Sequence, residues 1–191
     1  MRIIAGEMRG RRIRAVEGSG TRPTADKVKG AIFNVIQEKV EGARVLDLFA
    51  GTGSLALEAI SRGANNAVLV EVNRLAQNVI QENISLISDA RVKLFKIDAF
   101  SYLDKNSFEV FDIIFLDPPY HKGLVYRSLL ALSNPCRLSA FGVIIAETAK
   151  DEELSEEGHL FDIRKTGEYG DTKIWYLQRR DILTGSEKVG N

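Results

Sequence analysis

The sequence predicts an α/β protein in which helices cover both faces of a mainly parallel β-sheet. From about residue 43 onward, short apolar runs with strand character alternate with stretches of helical periodicity. Near the end, two more strand-like runs flank the turn signal Gly170-Asp171, which predicts an antiparallel hairpin that closes the sheet. The 191 residues are enough for one compact domain with a sizeable core.

Residues 1–40 are predicted to form a basic extension, made of a hairpin and a helix, ahead of a main domain over 41–180 and a flexible tail over 181–191. Glycines divide the start of the extension into short strand-like pieces; they are Gly6, Gly10 and Gly18. Thr24 suits the N-cap of the helix that follows Pro23. The apolar face of this helix is expected to consist of Val28, Ile32, Val35 and Ile36.

The main domain is predicted to contain five strands before the closing hairpin over 161–180. The strands cover residues 43–49, 66–72, 91–97, 110–116 and 142–147. The helices cover 54–62, 73–86, a short stretch after Asp98, and 123–133. The acidic stretch 150–158 is expected to be a helix or an exposed loop.

Acidic side chains stand at or near the carboxyl ends of the first four predicted strands. They are Asp47, Glu71, Asp98 and Asp117. Ligands of parallel α/β sheets bind at this edge, near the point where the strand order reverses. We therefore expect these four residues to converge on one site although they are scattered along the sequence.

The segment DLFAGTGS, residues 47–54, combines a strand end, a glycine turn and a helix start. Gly51 and Gly53 allow a tight turn and a close approach of a ligand to the main chain. With Ala56 the segment matches G-x-G-x-x-A, which favours a cofactor that contains adenosine. In that interpretation Glu71 accepts hydrogen bonds from ribose hydroxyls, and Asp98 binds the adenine amino group. The alternative is that the glycines only form a turn and the acids cap helices.

The glycine pattern by itself leaves NAD and S-adenosylmethionine open as cofactors. Asp47, just before the loop, favours the second. A carboxylate there repels a pyrophosphate but attracts the cationic amino-acid end of S-adenosylmethionine.

The segment DIIFLDPPY, residues 112–120, ends a buried strand with an acid, two prolines and a tyrosine. Because prolines have no N–H, nearby carbonyls and Asp117 can act together as acceptors for the two N–H groups of an exocyclic amine. Tyr120 offers a ring on which a planar base can stack. Aryl amines are poor nucleophiles, so the chemistry depends on positioning more than on a strong base. The alternative is a rigid turn without catalytic function.

Charge is distributed unevenly along a chain whose net charge is zero. Residues 1–29 contain eight basic and three acidic side chains, an excess of five positive charges, and the remainder carries an excess of five negative charges. A basic segment on an acidic body indicates contact with a polyanion, although a solvated arginine surface would look the same.

Several classes of site are not expected from the composition. A single cysteine, Cys136, excludes an intrachain disulfide, and His121 and His159 lie too far apart in sequence to suggest a metal site. No apolar run approaches the length of a membrane span, and the arginine-rich start does not resemble a signal peptide. We expect a cytoplasmic protein with no metal and no membrane partner.

Taken together, the motifs resemble the amino-methyltransferases that use S-adenosylmethionine, and more narrowly the bacterial 16S rRNA guanine-N2 methyltransferases of the small ribosomal subunit. The resemblance covers nearly the whole chain. It is carried by MRIIAG, RPTADKVKGAIFN, DLFAGTGSLALEAISRGA, DPPY and YGDTKIWYL, of which the second is the most specific.

The resemblance implies a Rossmann-like seven-stranded sheet with an N-terminal extension, S-adenosylmethionine as cofactor, and action on 16S rRNA in an assembled or assembling small subunit. We expect the protein to be a monomer. The resemblance places the cofactor at Asp47, Gly51, Gly53, Ser54, Glu71, Asp98 and Ala99. It places the flipped guanine at Asp117, Pro118, Pro119 and Tyr120. It places the RNA backbone at Arg9, Arg11, Arg12, Arg22 and Thr24.

Three alternatives remain open from the sequence. An amino-methyltransferase acting on DNA adenine or on a protein glutamine would need the same DPPY segment, because each target presents an NH₂ group. An NAD-dependent oxidoreductase would use the G-x-G-x-x-A match but lacks an obvious histidine or lysine for hydride chemistry. A non-catalytic RNA-binding module would rely on the arginine-rich end alone.

Overall fold

In residues 1–16, 26–87, 90–106 and 108–180, which the computed structural model describes, seven strands form one sheet. The strands are β1 (Arg44–Asp47), β2 (Asn66–Val70), β3 (Val92–Phe95), β4 (Phe111–Leu116), β5 (Leu138–Ala149), β6 (Phe161–Tyr169) and β7 (Thr172–Arg179). Their order is β3-β2-β1-β4-β5-β7-β6. The first five strands are parallel, and the hairpin of β6 and β7 joins β5 in antiparallel fashion. The predicted seven-stranded sheet with its closing hairpin is confirmed.

Helices lie on both faces of the sheet, as predicted. They are α1 (Asp26–Val35), α2 (Gln37–Val40), α3 (Ser54–Ser61), α4 (Arg74–Ile87), α5 (Ala99–Lys105) and α6 (Leu124–Ser133). Neighbouring strand residues point to opposite faces: Val45 packs in one core with α1 to α4, and Leu46 packs in the other with α5 and α6. The sheet is therefore buried on both sides, which explains its nearly continuous apolar strands.

The strand order reverses between β1 and β4. The chain runs from β1 outward to β2 and β3, then returns to place β4 on the other side of β1. Asp47 pairs in register with Phe115, so the segments that follow β1 and β4 leave the sheet side by side. This is where a ligand is expected in a sheet of this kind.

The hairpin predicted at the N-terminus is reduced to one bridge between Arg2 and Arg12. Backbone bonds from Ile3 to Arg11 and from Gly10 to Ile3, both 2.9 Å long, support that bridge. The backbone N–H groups of residues 4 and 5 instead donate to the carboxylate of Glu58, at 2.8 and 3.0 Å. Because a side chain takes these donors, a regular ladder does not form.

Two predicted details of α1 have different outcomes. The prediction is wrong for Val35, which is 39% exposed, because the helix ends there and Ile36 turns the chain into α2. Phe33, which is fully buried, occupies the core with Val28, Ile32 and Ile36. The proposed N-cap Thr24, together with Gly18 and the tail over 181–191, lies outside the described residues.

Strand β5 begins four residues earlier than the predicted start at residue 142. The pairing of this added part with β4 is irregular, since Phe111 pairs with Leu138 and Ile113 with Val143. Gly142 lies in this irregular part, and a Cβ on it would lie 2.7 Å from Leu138 Cδ1 and 2.9 Å from the carbonyl oxygen of Asp112. Only glycine permits this close packing within the strand. The acidic stretch 150–158 forms a loop without a helix.

Candidate active site

The glycine loop between β1 and α3 has the backbone that its sequence predicts. Gly51 and Gly53 have φ values of +56° and +77°, in the left-handed region that favours glycine. A Cβ on Gly53 would lie 2.9 Å from Leu69 Cδ2, whereas a Cβ on Gly51 would meet no atom of the described residues within 4 Å. Within that part of the chain, the loop is packed on the sheet at Gly53 and open at Gly51.

Glu71 contacts this loop directly. Its Oε2 accepts the backbone N–H of Gly51 at 2.8 Å, and its Oε1 accepts that of Asn73 at 2.7 Å. A carboxylate oxygen can accept more than one hydrogen bond, so each retains capacity for a ribose hydroxyl. The position fits the predicted role of Glu71 beside an adenosine.

Asp47 lies under the glycine loop with 2% exposure. Burial raises its pKa to about 7; a backbone hydrogen bond from Ala56 lowers it, and the charge of Glu71 raises it further. A cationic group above the loop would favour the ionised carboxylate again. A buried carboxylate at this position therefore fits a cofactor with a cationic amino-acid end better than one with a pyrophosphate.

Asp98 caps the N-terminus of α5. Its Oδ1 accepts the backbone N–H groups of Phe100 and Ser101 at 3.1 and 3.0 Å. The hydrogen bond from the Ser101 side chain is the largest of the causes that lower the pKa of Asp98. The observed contacts of Asp98 are therefore those of a helix cap, the alternative that the sequence left open. Contacts of adenine with Asp98 and with the buried Ala99 stay predictions.

Ser54, the first residue of α3, belongs to a buried polar network that the sequence analysis missed. Its Oγ accepts a hydrogen bond from Lys29 Nζ at 3.1 Å, and the same ammonium lies 3.3 Å from Glu58 Oε2. Lys29 and Glu58 both have 0% exposure. Burial lowers the pKa of Lys29, and Glu58 partly offsets this. No local pattern marks such a pair, since each residue reads as an ordinary helix surface position.

The basic N-terminal segment, residues 1–16, is attached next to the glycine loop. Glu58 accepts two of its backbone N–H groups, as described above. Asn83 of α4 accepts the N–H of Arg14 at 2.7 Å and donates to the carbonyl of Thr52, in the loop, at 2.9 Å. One buried side chain thus links the basic segment to the candidate cofactor loop.

The arginines predicted to bind RNA are exposed where they are described. Arg9, Arg11 and Arg12 all belong to the surface. Arg11 donates to the carbonyl of Leu86 at the end of α4, at 2.9 Å. Arg22 and Thr24 lie outside the described residues.

The DPPY segment continues from β4 at the reversal point. Asp117 and Tyr120 are half-buried, Pro118 is buried and Pro119 is exposed. The structure therefore brings this segment and the glycine loop together at one edge of the sheet, as the pattern of acids predicts. Tyr120 also contributes to the wall of a shallow cleft whose other lining residues are His121, Ala149, Lys150, Asp151 and Asp171, so this cleft lies beside the segment and does not include Asp117 or the glycine loop.

Two partners of Tyr120 were not predicted. Its hydroxyl donates to Glu147 Oε1 at 2.6 Å and lies 3.1 Å from Thr172 Oγ1. Glu147 carries the same signal as the other acids, since it follows an apolar run near the end of a parallel strand. Thr172, the first residue of β7, carries no signal in the sequence.

Within the described residues, no group of three or more His, Cys, Asp or Glu side chains could hold a metal ion. Among the helices the structure describes, none has the length and apolar character to cross a membrane.

The chain is similar to a known protein family, to curated bacterial relatives and to solved structures. The family model described as Conserved hypothetical protein 95 matches residues 1–178. YlbH of Bacillus subtilis is 36% identical over 184 residues, which cover 94% of this chain and 100% of the relative. Ribosomal RNA small subunit methyltransferase D of Escherichia coli is 32% identical over 154 residues, covering 81% and 77% of the two chains. The solved structure of yhhF from Escherichia coli matches with a TM-score of 0.85 and 29% identity, over 94% of this chain and 98% of that one.

Proposed function

The chain belongs to the family of conserved hypothetical protein 95, that of the small-subunit rRNA methyltransferases D, and we propose that it transfers a methyl group from S-adenosylmethionine to the 2-amino group of a guanine in 16S rRNA. Its sheet is the Rossmann-like sheet of S-adenosylmethionine-dependent methyltransferases. The observation that carries the proposal is the adjacency of the glycine loop and the DPPY segment at the β1/β4 edge.

The cofactor would lie over the glycine loop. Glu71 would accept its ribose hydroxyls, Asp47 would favour its cationic amino-acid end, and the open face at Gly51 would allow close approach to the main chain. Ser54 accepts its hydrogen bond from Lys29, so its own hydroxyl hydrogen is available for a carboxylate. When bound, S-adenosylmethionine supplies a methyl group on a sulfonium, which is open to nucleophilic attack.

The guanine would lie at the DPPY segment. Asp117 and a neighbouring carbonyl would accept the two N–H groups of the 2-amino nitrogen, which draws electron density toward that nitrogen. Tyr120 would hold the plane of the base by stacking. Because both segments leave the sheet side by side, the amine and the methyl group would meet without a large rearrangement of the backbone.

The RNA would be held by the N-terminal segment, and this part of the proposal includes Arg22 and Thr24. Three exposed arginines stand on a segment that Asn83 and Glu58 attach beside the glycine loop. Cationic side chains at the entrance of a site bind phosphates without reading their sequence. A protein with this substrate would act in the cytoplasm, where small ribosomal subunits are assembled.

The test uses radiolabelled S-adenosylmethionine and three acceptors: small subunits that lack the modification, naked 16S rRNA, and DNA. Label recovered as 2-methylguanosine from the subunit or its rRNA supports the cofactor, the reaction and the substrate together. Label in DNA alone would retain the chemistry and reject the ribosomal substrate. Absence of label in all three, with RNA binding retained, would favour a binding module instead.

A further inference from the structure

Tyr120 is fixed by two residues that lie far from it in sequence. Its hydroxyl donates to Glu147, 27 residues later, and lies within hydrogen-bond distance of Thr172, 52 residues later. Glu147 belongs to β5 and Thr172 to β7, two strands that pair with each other. The hydroxyl thus connects the segment after β4 to both neighbouring strands on that side of the sheet.

These bonds fix the position of the Tyr120 ring. A tyrosine side chain rotates about two bonds, and the hydroxyl oxygen lies on the axis of the second. One acceptor and one further partner at the hydroxyl therefore restrict the first rotation and hold the far end of the ring in place. Burial and the Glu147 carboxyl also raise the pKa of the hydroxyl, which favours its protonated, donating form. The ring is therefore held in one place before any base arrives.

Burying the Glu147 carboxyl lowers the stability of the fold, which a purely structural contact would not require. Glu147 has 8% exposure, and its second oxygen, Oε2, is buried without a hydrogen-bond partner among the residues that the structure describes. A buried polar atom without a partner destabilises a fold, whereas an apolar residue at this place would avoid that loss. The geometry points to a function for the contact between its other oxygen and Tyr120.

We infer that Glu147 is a positioning residue of the methyl-transfer site: through the hydroxyl of Tyr120, and together with Thr172, it fixes the position of the ring on which the acceptor base stacks. This inference rests on the proposed function. In this role Glu147 acts only through Tyr120 and does not contact the base. The inference therefore predicts that removing either Glu147 or the Tyr120 hydroxyl produces the same defect.

A double-mutant cycle tests this with four proteins: wild type, Tyr120→Phe, Glu147→Leu and the double variant. The phenylalanine keeps the ring, and the leucine keeps the volume. With saturating cofactor and small subunits as acceptor, each single variant should lose roughly 10-fold in kcat, because misplacement of a reacting group is costly. The double variant should lose about the same amount and not roughly 100-fold, since both substitutions remove one interaction.

Two further variants separate positioning from general damage. Glu147→Gln keeps an acceptor for the hydroxyl and should retain kcat within about threefold of wild type. Thr148→Val changes the next residue of β5, whose side chain lies on the other face of the sheet. It removes a buried hydroxyl that accepts a hydrogen bond from the indole N–H of Trp175. If it folds, it should leave kcat unchanged within about twofold, since it does not touch Tyr120. Dissociation constants for S-adenosylmethionine and RNA should be the same in all variants.

Each outcome supports or overturns the role of Glu147 as a positioning residue. Three results would overturn the role of Glu147: losses that multiply in the double variant, a fully active Tyr120→Phe, or an equal loss in Thr148→Val. As long as the wild type is active, these results leave the proposed function intact. A wild type that methylates no guanine would overturn the proposed function, and with it the role assigned to Glu147. Should Glu147→Leu not fold, Tyr120→Phe and Thr172→Val decide, because each removes one partner of the same contact.

Discussion

Gly51 donates its backbone N–H to Oε2 of Glu71 over 2.8 Å, which joins the loop after β1 to the end of β2. The other carboxylate oxygen accepts the N–H of Asn73, just before α4. One side chain therefore fixes both the glycine loop and the entry to the next helix. Loop geometry and the predicted ribose contact depend on the same residue.

Replacing Glu71 with Ala should weaken the binding of S-adenosylmethionine. The variant loses the carboxylate that would accept from the ribose hydroxyls. One hydrogen bond to a charged group contributes about 1.5–3 kcal/mol, which corresponds to a roughly 10- to 150-fold higher dissociation constant. Isothermal titration calorimetry measures it. Glu38→Ala, on the short helix α2, is the control and should bind normally. An unchanged affinity in Glu71→Ala would remove Glu71 from the cofactor site.

Asp47 should make the stability of the cofactor-free protein depend on pH. Its pKa is raised from 3.8 to about 7 in the fold, so the folded state holds the proton more tightly than the unfolded chain. This contribution to stability is fully present below about pH 4 and is lost as the pH rises through about 7. Asp47→Asn, which stays neutral, should therefore be more stable than wild type at about pH 8, by up to roughly 4 kcal/mol.

Denaturant unfolding of both proteins at about pH 4 and about pH 8 measures this difference. The same substitution should lower the affinity for S-adenosylmethionine at about pH 8, because the neutral amide does not attract the cationic end. A variant that gains stability but keeps full affinity would show that Asp47 does not face the cofactor. Equal stability of the two proteins at both pH values would contradict the raised pKa.

Asp117→Ala should abolish turnover while S-adenosylmethionine still binds. The side chain is expected to touch the acceptor amine and not the cofactor, and loss of one polar group that acts on the reacting atom costs about 100-fold or more in kcat. Asp112→Asn is a matched control, because it removes a carboxylate from β4 at the other end, where Asp112 pairs with Arg44. Loss of cofactor binding in Asp117→Ala would mean that its role is misassigned.

Replacing Arg9, Arg11 and Arg12 with Ala together should weaken RNA binding and reduce its salt dependence. Each lost phosphate contact lowers the slope of log K against log salt by about 0.7 to 0.9. Filter binding or fluorescence anisotropy over a range of salt concentrations measures the slope. A triple variant of equal charge at Lys105, Arg164 and Lys165, on exposed positions of α5 and β6, is the control. Identical slopes for the two variants would exclude a specific RNA contact by the N-terminal segment.

Much of the candidate site was predictable because its signals are local. The positive φ values of Gly51 and Gly53 follow from the glycine turn between a strand and a helix, and acids at strand ends must share an edge once the strands are parallel. The position of Asp98 allows two interpretations, because an acid at the end of a strand is also an acid at the start of the following helix. Its observed contact is the helix cap.

The alternation of strands and helices, the two loops with functional motifs and the basic N-terminus are predictable from the sequence, because apolar periodicity, glycine turns and charge are properties of neighbouring residues. Three contacts are seen only in the folded chain. Glu58 accepts backbone N–H groups that a hairpin ladder would use, Lys29 is buried against Glu58, and Glu147 accepts a hydrogen bond from Tyr120. Such contacts join residues dozens of positions apart. They depend on strand order, register and helix packing, which no local pattern specifies.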